Sequence, residues 1–462
     1  MHQVQRWIVI AAAVVAVGSA GSVLAQGYGL NEQGACAMGR GGASVASPCP
    51  DGSSIFFNPA GIAFIPGQTI GIGASMVAPR GDFTNDTTGQ VSTLNSQNYP
   101  LPNVYYSGGV GERFAVGFGI NAPYGLTTDW PITAEGRFLG YKSLVQGVYM
   151  QPTVAARLGD KVAVGVGVDI VYLKVQLRQR VDLSTQKLTG TPFTFAQYFG
   201  VPAGTDFADV DLQGHDWSVG YHLGVQIHAT DRVSFGARYL SEQKVEIPNG
   251  VLTTAQISTG LKTTKPLPGI PVGTPMDAIL ARQFAAGAAL ESGQNGRTTL
   301  PLPAQLALGT ALQVAPRFKL LFDYRFVHWS AFDQLVIEKE NSTQPTVTVE
   351  SYNDAHAFHF GGDISVTPRF DLRAGFFATT AAAPAQTVTP NLPEGARQNY
   401  SVGFGAKLSK SVRLDFAYQY LRQGERAGRT TDGGMAVPTP EVNNGVYRFH
   451  ANLLGLMLGF NF

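Results

Sequence analysis

The residues able to do covalent or redox chemistry are few, and their spacing does not suit it. His356 and His359 differ in parity, so on a strand they point to opposite faces and cannot act together on one substrate. His215, His222 and His228 are similarly spread, and no Gly-x-Ser-x-Gly element presents a nucleophile. The run Gly165-Val166-Gly167 sits inside a strand pattern without the following helix that a dinucleotide site needs. No enzyme class and no cofactor is implied. Apolar side chains stand where loops are expected: Phe193, Phe195, Tyr198 and Phe199 in one connection, and Met276, Ile279, Leu280 and Phe284 in another, near helical spacing between Pro275 and Gly293. Facing one another, the two would form a surface groove for an apolar ligand; otherwise they pack the loops together.

The elements that position these residues follow from composition. Of the 462 residues 44% are hydrophobic and 14% charged, against roughly 25% charge in a soluble protein. The chain opens with Arg6, an apolar run over residues 7–17, and small residues ending Val23-Leu24-Ala25. That is the layout of a secretory signal peptide over residues 1–25, too short for the roughly 20-residue core of a spanning helix. Beyond it no stretch reaches about 18 consecutive apolar residues, which excludes a helical membrane protein. Strands remain: in a transmembrane barrel every second residue faces lipid. A net charge of +1 offers no basic footprint, so no nucleic-acid partner is expected. The only cysteines, Cys36 and Cys49, would pass through an oxidising periplasm, which points to a disulfide. Free thiols are the alternative, and a zinc site a weaker one, since no paired His or Cys lies nearby at ligand spacing.

From residue 68 onward, short and long connections alternate between segments of period-two hydrophobicity. Short turns fall at 111–113, 159–161, 230–232, 315–317, 367–369 and 409–411; long connections fall near 79–102, 123–142, 179–214, 248–301, 330–354, 380–397 and 423–445. They predict a 14-stranded antiparallel transmembrane β-barrel over residues 68–462, with tight periplasmic turns and long extracellular loops. Val412, Leu414, Phe416, Tyr418 and Tyr420 share one face, with Arg413, Asp415 and Gln419 on the other. Leu306, Leu308 and Leu312 alternate with Gln305, Ala307, Gly309 and Gln313 in the same way. Leu454, Leu456, Leu458, Phe460 and Phe462 end the chain as an apolar row, a terminal aromatic of the kind read by the barrel assembly machinery.

Residues 26–67 lack sustained alternation and are rich in Gly, Ala, Ser and Asn. A segment of that length fits inside a 14-stranded lumen as an N-terminal hatch. A periplasmic tail is the alternative, and the cysteine pair and the Asn58-Pro59-Ala60 turn favour order.

With these residues in place, the chain resembles the FadL family of outer-membrane long-chain fatty acid and hydrocarbon transporters. Gly29-Leu30-Asn31-Glu32-Gln33 is similar to the family's mature N-terminus, and Ser54-Ile55-Phe56-Phe57-Asn58-Pro59-Ala60-Gly61 to its hatch motif. Ala122-Pro123-Tyr124-Gly125-Leu126 with Trp130, Gly136-Arg137-Phe138, Leu302-Pro303, Asp323-Tyr324, Trp329-Ser330, Leu372-Arg373-Ala374-Gly375 and Pro393-Glu394-Gly395-Ala396-Arg397 follow in the family's order. The hatch cysteines and Tyr124, where Phe is expected, depart from its pattern.

The resemblance implies passive, diffusion-driven uptake from a loop groove to an inner pocket and out through a lateral opening in the wall. It implies an outer-membrane location in contact with lipid and lipopolysaccharide. Asn58, Pro59 and Ala60 would set the hatch turn, and Phe56 and Phe57 would either line the pocket or pack the hatch against the wall. A carboxylate head group calls for a cation, for which Arg137 and Arg397 are candidates; the alternative is pairing with lumenal carboxylates. The opening would lie at the third strand, expected over residues 114–121, with Gly117, Gly119 and Pro123 spoiling its ladder. Aromatic hydrocarbons or alkanes are an alternative cargo; a general porin or a structural surface protein are others.

Overall fold

The computed structural model describes residues 27–188, 191–428, 431–432, 435–436 and 443–462; the expected signal segment, 1–25, lies outside the described residues. Period-two patterning becomes two physical faces. On the strand Val412–Gln423, Arg413, Asp415 and Gln419 are buried toward the lumen while Leu414, Phe416 and Tyr418 stay partly exposed on the outside. Leu306 and Leu308 are 38% and 45% exposed beside buried Gln305 and Ala307. The apolar residues outside and polar residues inside match a wall with lipid as its outer solvent. No helix among the described residues is long and apolar enough to cross a membrane.

Fourteen antiparallel strands close the wall. They are β1 (Gln68–Asn85), β2 (Tyr99–Val110), β3 (Phe114–Asp129), β4 (Lys142–Arg157), β5 (Val162–Val181), β6 (Ala208–His228), β7 (Val233–Leu240 continued by Gln243–Gln256), β8 (Gln294–Leu302 continued by Gln305–Ala315), β9 (Phe318–Val327), β10 (Ala355–Thr367), β11 (Phe370–Thr379), β12 (Arg397–Lys407), β13 (Val412–Gln423) and β14 (Gly445–Asn461). Pairing of β1 with β14, from Thr69↔Asn461 to Asn85↔Gly445, completes the ring. Pro303, which has no N–H, stands where β8 is interrupted. Several strands run further into the long connections than alternation predicted, β3 above all: it passes through Pro123 and ends at Asp129 instead of at residue 121.

Residues 27–67 lie against the lumenal face. Helix α1 (Ala35–Gly39) packs on β12, β13 and β14, helix α2 (Ser54–Phe57) on β3 and β4, and the 3-10 turn Pro59–Phe64 on β4, β5 and β6. Cys36 and Cys49 are joined by a disulfide of 2.06 Å. Strand glycines make room for this close approach. A Cβ at Gly375 would lie 2.1 Å from the Arg40 carbonyl carbon, and one at Gly224 would lie 2.6 Å from Pro59 Cδ.

Candidate functional site

Asn58 earns its position by hydrogen bonding. Its Oδ1 accepts from Ala60 N at 3.2 Å, capping the 3-10 turn that Pro59 begins. The two N–H groups of its Nδ2 are shared among Val45 O, Val225 O and Gln226 Oε1 at 2.8, 2.9 and 3.0 Å, tying the turn to the N-terminal segment and to β6. Phe56 and Phe57 line neither of the two cavities described below. They pack with Cys36, Ala37 and Cys49, and the Arg238 guanidinium lies 4.5 Å over the Phe56 ring.

The wall opens beside β3. Strand β2 pairs with β1 along its length from Tyr99, yet its pairing with β3 stops at Val104↔Ile120. Above that point Pro100 and Pro102 lack N–H groups, and β3 bulges: its register with β4 jumps between Asn121↔Tyr149 and Tyr124↔Gly147. Pro123 lies in this bulge. Gly117 and Gly119 lie below it in regular pairing with Ser107 and Tyr105, so they do not break the ladder. Instead they leave space for Ile55, whose Cδ1 would be 2.8 Å from a Cβ at Gly117.

A cavity of about 390 Å³ occupies the gap. Its wall side is formed by Pro100, Leu101 and Pro102 of β2, Ile120, Asn121, Ala122 and residues 124–128 of β3, and outward-facing Gln146 and Val148 of β4; its lumenal side includes Glu394, Arg397, Asn399 and Leu453. Arg397 therefore faces a mainly apolar space. Its Nη2 donates to Gly27 O at 3.3 Å and its buried Nε has no hydrogen-bond partner. Glu394, in the connection before β12, accepts from Gly27 N at 2.9 Å and Ala383 N at 2.9 Å. Burial, the largest influence, pushes its carboxyl above the ordinary value, while those amides and the Arg397 charge pull the other way. Arg137 is engaged elsewhere: it pairs with Asp206 at 2.8 Å, donates to Gly204 O and covers the Phe138 ring.

The long loops hold a second cavity of about 320 Å³, between Leu183 and Gln186 of one connection and Gln283, Ala289 and Leu290 of another, over Leu177, Leu212 and Leu335. The aromatic loop residues expected to form a groove line neither cavity. Phe195 and Phe199, on the short helix α3 (Phe195–Phe199), meet Met276 and Leu280, on α4 (Met276–Leu280), in one buried cluster with Leu183 and Phe207, while Tyr198 and Ile279 pack at its margin. Phe193 is 47% exposed and Phe284 half-buried in the turn after α4. The two loops do meet, and these side chains pack between them beside the cavity instead of lining it. The cavity-lining Pro100 and Pro102 were missed by sequence reasoning, although Pro-x-Pro within a strand pattern is a readable sign of an interrupted ladder. Of the histidines, His359 is buried against Gly41 O at 2.7 Å, whereas His356 meets the Tyr324 hydroxyl at 2.8 Å.

Comparison with known proteins gives the wall gap and the inner segment a context. The family described as "Outer membrane protein transport protein (OMPP1/FadL/TodX)" matches residues 15–462. The chain belongs to this family. It is accordingly an outer-membrane protein, in a family of transporters and channels rather than enzymes. It is 23% identical over 438 residues to a long-chain fatty acid transport protein of Escherichia coli O6:H1, covering 92% of this chain and 93% of that one. A 47 kDa outer membrane protein of Pasteurella multocida is 25% identical over 445 residues, 96% of each chain. The fold matches the crystal structure of a Pseudomonas aeruginosa FadL homologue at TM-score 0.79 and 20% identity, covering 95% and 100% of the two chains. It matches the Pseudomonas putida toluene transporter TodX at TM-score 0.66 and 16% identity, covering 95% and 99%. These structural likenesses establish the shared barrel.

Proposed function

We propose that this FadL-family protein takes up long-chain fatty acids or similarly hydrophobic compounds by diffusion. Ligand is captured at the loop cavity, passes to the inner cavity and leaves sideways between β2 and β3. Residues 27–67 act as the hatch that keeps the lumen from becoming an open pore. The observation that carries this reading is the inner cavity's lining, which runs from lumenal Arg397 through the break in β2–β3 pairing to outward-facing Gln146. Its volume of about 390 Å³ falls within the roughly 300–1,000 Å³ of small-molecule sites. A route through the wall suits a greasy molecule, which never has to cross the polar periplasmic half of the lumen. Arg397, half-buried beside apolar surface, favours a carboxylate-bearing cargo over a neutral hydrocarbon.

Export by the segment at 1–25 and delivery to the barrel assembly machinery through the terminal Phe462 complete the reading. The test is saturable binding of a labelled long-chain fatty acid to the detergent-folded protein, with and without excess toluene. Binding that resists toluene supports a fatty acid transporter, and displacement by toluene points to hydrocarbon uptake. No saturable binding of either would remove uptake as the function and favour a pore or a structural surface protein.

A further inference from the structure

A strand edge that leaves its neighbour inside a bilayer has no water to satisfy its N–H and C=O groups, so something else must pair with them. Beyond Ile120 the edge of β3 facing β2 is in that position, because β4 occupies the opposite edge. Its partner is the N-terminal segment. Leu30 N donates to Pro123 O at 2.8 Å and Gly125 N donates to Tyr28 O at 2.9 Å, around an isolated antiparallel bridge between Gly29 and Tyr124. One side chain completes the series. Gln33, fully buried, accepts from Ala122 N through Oε1 at 3.0 Å and donates from Nε2 to Ala122 O at 2.8 Å. Its amide thus supplies the bulge with the same donor and acceptor that a neighbouring strand would have offered.

We propose that Gln33 is a positioning residue that holds the β3 bulge, and with it the gap to β2, in the open geometry. The tie is two-point and planar, so it fixes the orientation of the Ala122 peptide as well as its place. Without it, Ala122 would keep two buried backbone groups unpaired, and β3 would lower its energy by moving toward β2. The importance of this tie for transport rests on the reading of the gap as the exit. Its structural role does not.

The experiment separates the two. Nitroxides at Leu101→Cys on β2 and Thr127→Cys on β3 report the gap as a spin-label distance in the folded barrel, and the native cysteines, being disulfide-bonded, take no label. Gln33→Leu removes both hydrogen bonds at similar volume. The distance should shorten by roughly 5 Å, one interstrand step, or spread over that range. Gln33→Glu should behave like the leucine variant when ionised, since a carboxylate cannot donate to Ala122 O. It should return toward wild type as pH falls through the titration of the new carboxyl, a profile that a merely space-filling role would not produce. An unshifted narrow distance in Gln33→Leu, or a Gln33→Glu distance independent of pH, would overturn the proposal. Uptake of radiolabelled oleate, measured on the same variants, should fall as the gap narrows. A narrowed gap with wild-type uptake would leave the role of Gln33 standing and take the gap off the transport path.

Discussion

Arg40, in the turn after α1, and Asp363, on β10, form a two-pronged ion pair across 323 residues of sequence, with Arg40 Nε 2.8 Å from Asp363 Oδ1 and Nη2 on Oδ2. Arg373 Nε lies 3.6 Å from the same carboxylate. Because the pair is largely out of solvent, removing Arg40 leaves the Asp363 carboxylate with only the longer Arg373 contact. Arg40→Met is expected to destabilise the seated N-terminal segment by on the order of 3 kcal/mol. Planar-bilayer recordings check this: the variant should show intermittent large openings absent from the wild type, and equally silent traces would contradict the latch.

Asn58→Ala removes a cap and an amide whose two N–H groups are shared among three acceptors. A loss of roughly 2 kcal/mol is expected. A urea titration of the folded protein, followed by protease accessibility of residues 27–67, should show the earlier release of this segment.

Gly375→Ala should dislodge the segment by sterics alone, since its Cβ would fall 2.1 Å from the backbone at Arg40. Gly362→Ala is the control, because there the nearest atom is 3.7 Å away. Trypsin should cut after Arg40 in the first variant and not in the second; protection in both would show that the wall yields instead.

Arg397→Met tests the cation in the cavity. Fatty acid affinity should weaken by roughly 10- to 100-fold, as expected for loss of a charge-assisted hydrogen bond of about 1.5–3 kcal/mol. Toluene binding should be unaffected. Competition titrations with both ligands measure the difference, and equal losses for both would assign Arg397 to architecture rather than to a head group.

Phe199→Ala opens the cluster that α3 and α4 share. The local cost, about 3 kcal/mol, should fall on the loops alone. Hydrogen exchange should accelerate around α3 and α4 while amides of β5 and β6 stay protected; unchanged exchange in the loops would restore the idea of an open aromatic groove.

The barrel itself was legible in the sequence, for a reason particular to membranes. Every strand must pair on both edges and present lipid on one face, so alternation such as Leu306, Leu308 and Leu312 against Gln305 and Ala307 is imposed residue by residue. Short turns between such segments fix order and neighbour. The Asn58-Pro59-Ala60 element was equally readable, because a capped turn is a local object.

What only the tertiary structure decided are relationships between residues far apart in sequence. Arg137 and Arg397 look alike as cations at strand entrances, yet Asp206 claims one and a cavity surrounds the other. Phe195 and Met276 read equally as groove or packing until the two loops were seen to bury them against each other. The break in the wall was expected from Gly117, Gly119 and Pro123; the two glycines serve the approach of Ile55, and the break lies at Ala122 and Pro123. There a glutamine 89 positions away takes the place of a neighbouring strand. Local patterning specifies which face a residue occupies, whereas its partner is chosen by the three-dimensional competition among all groups that can reach it.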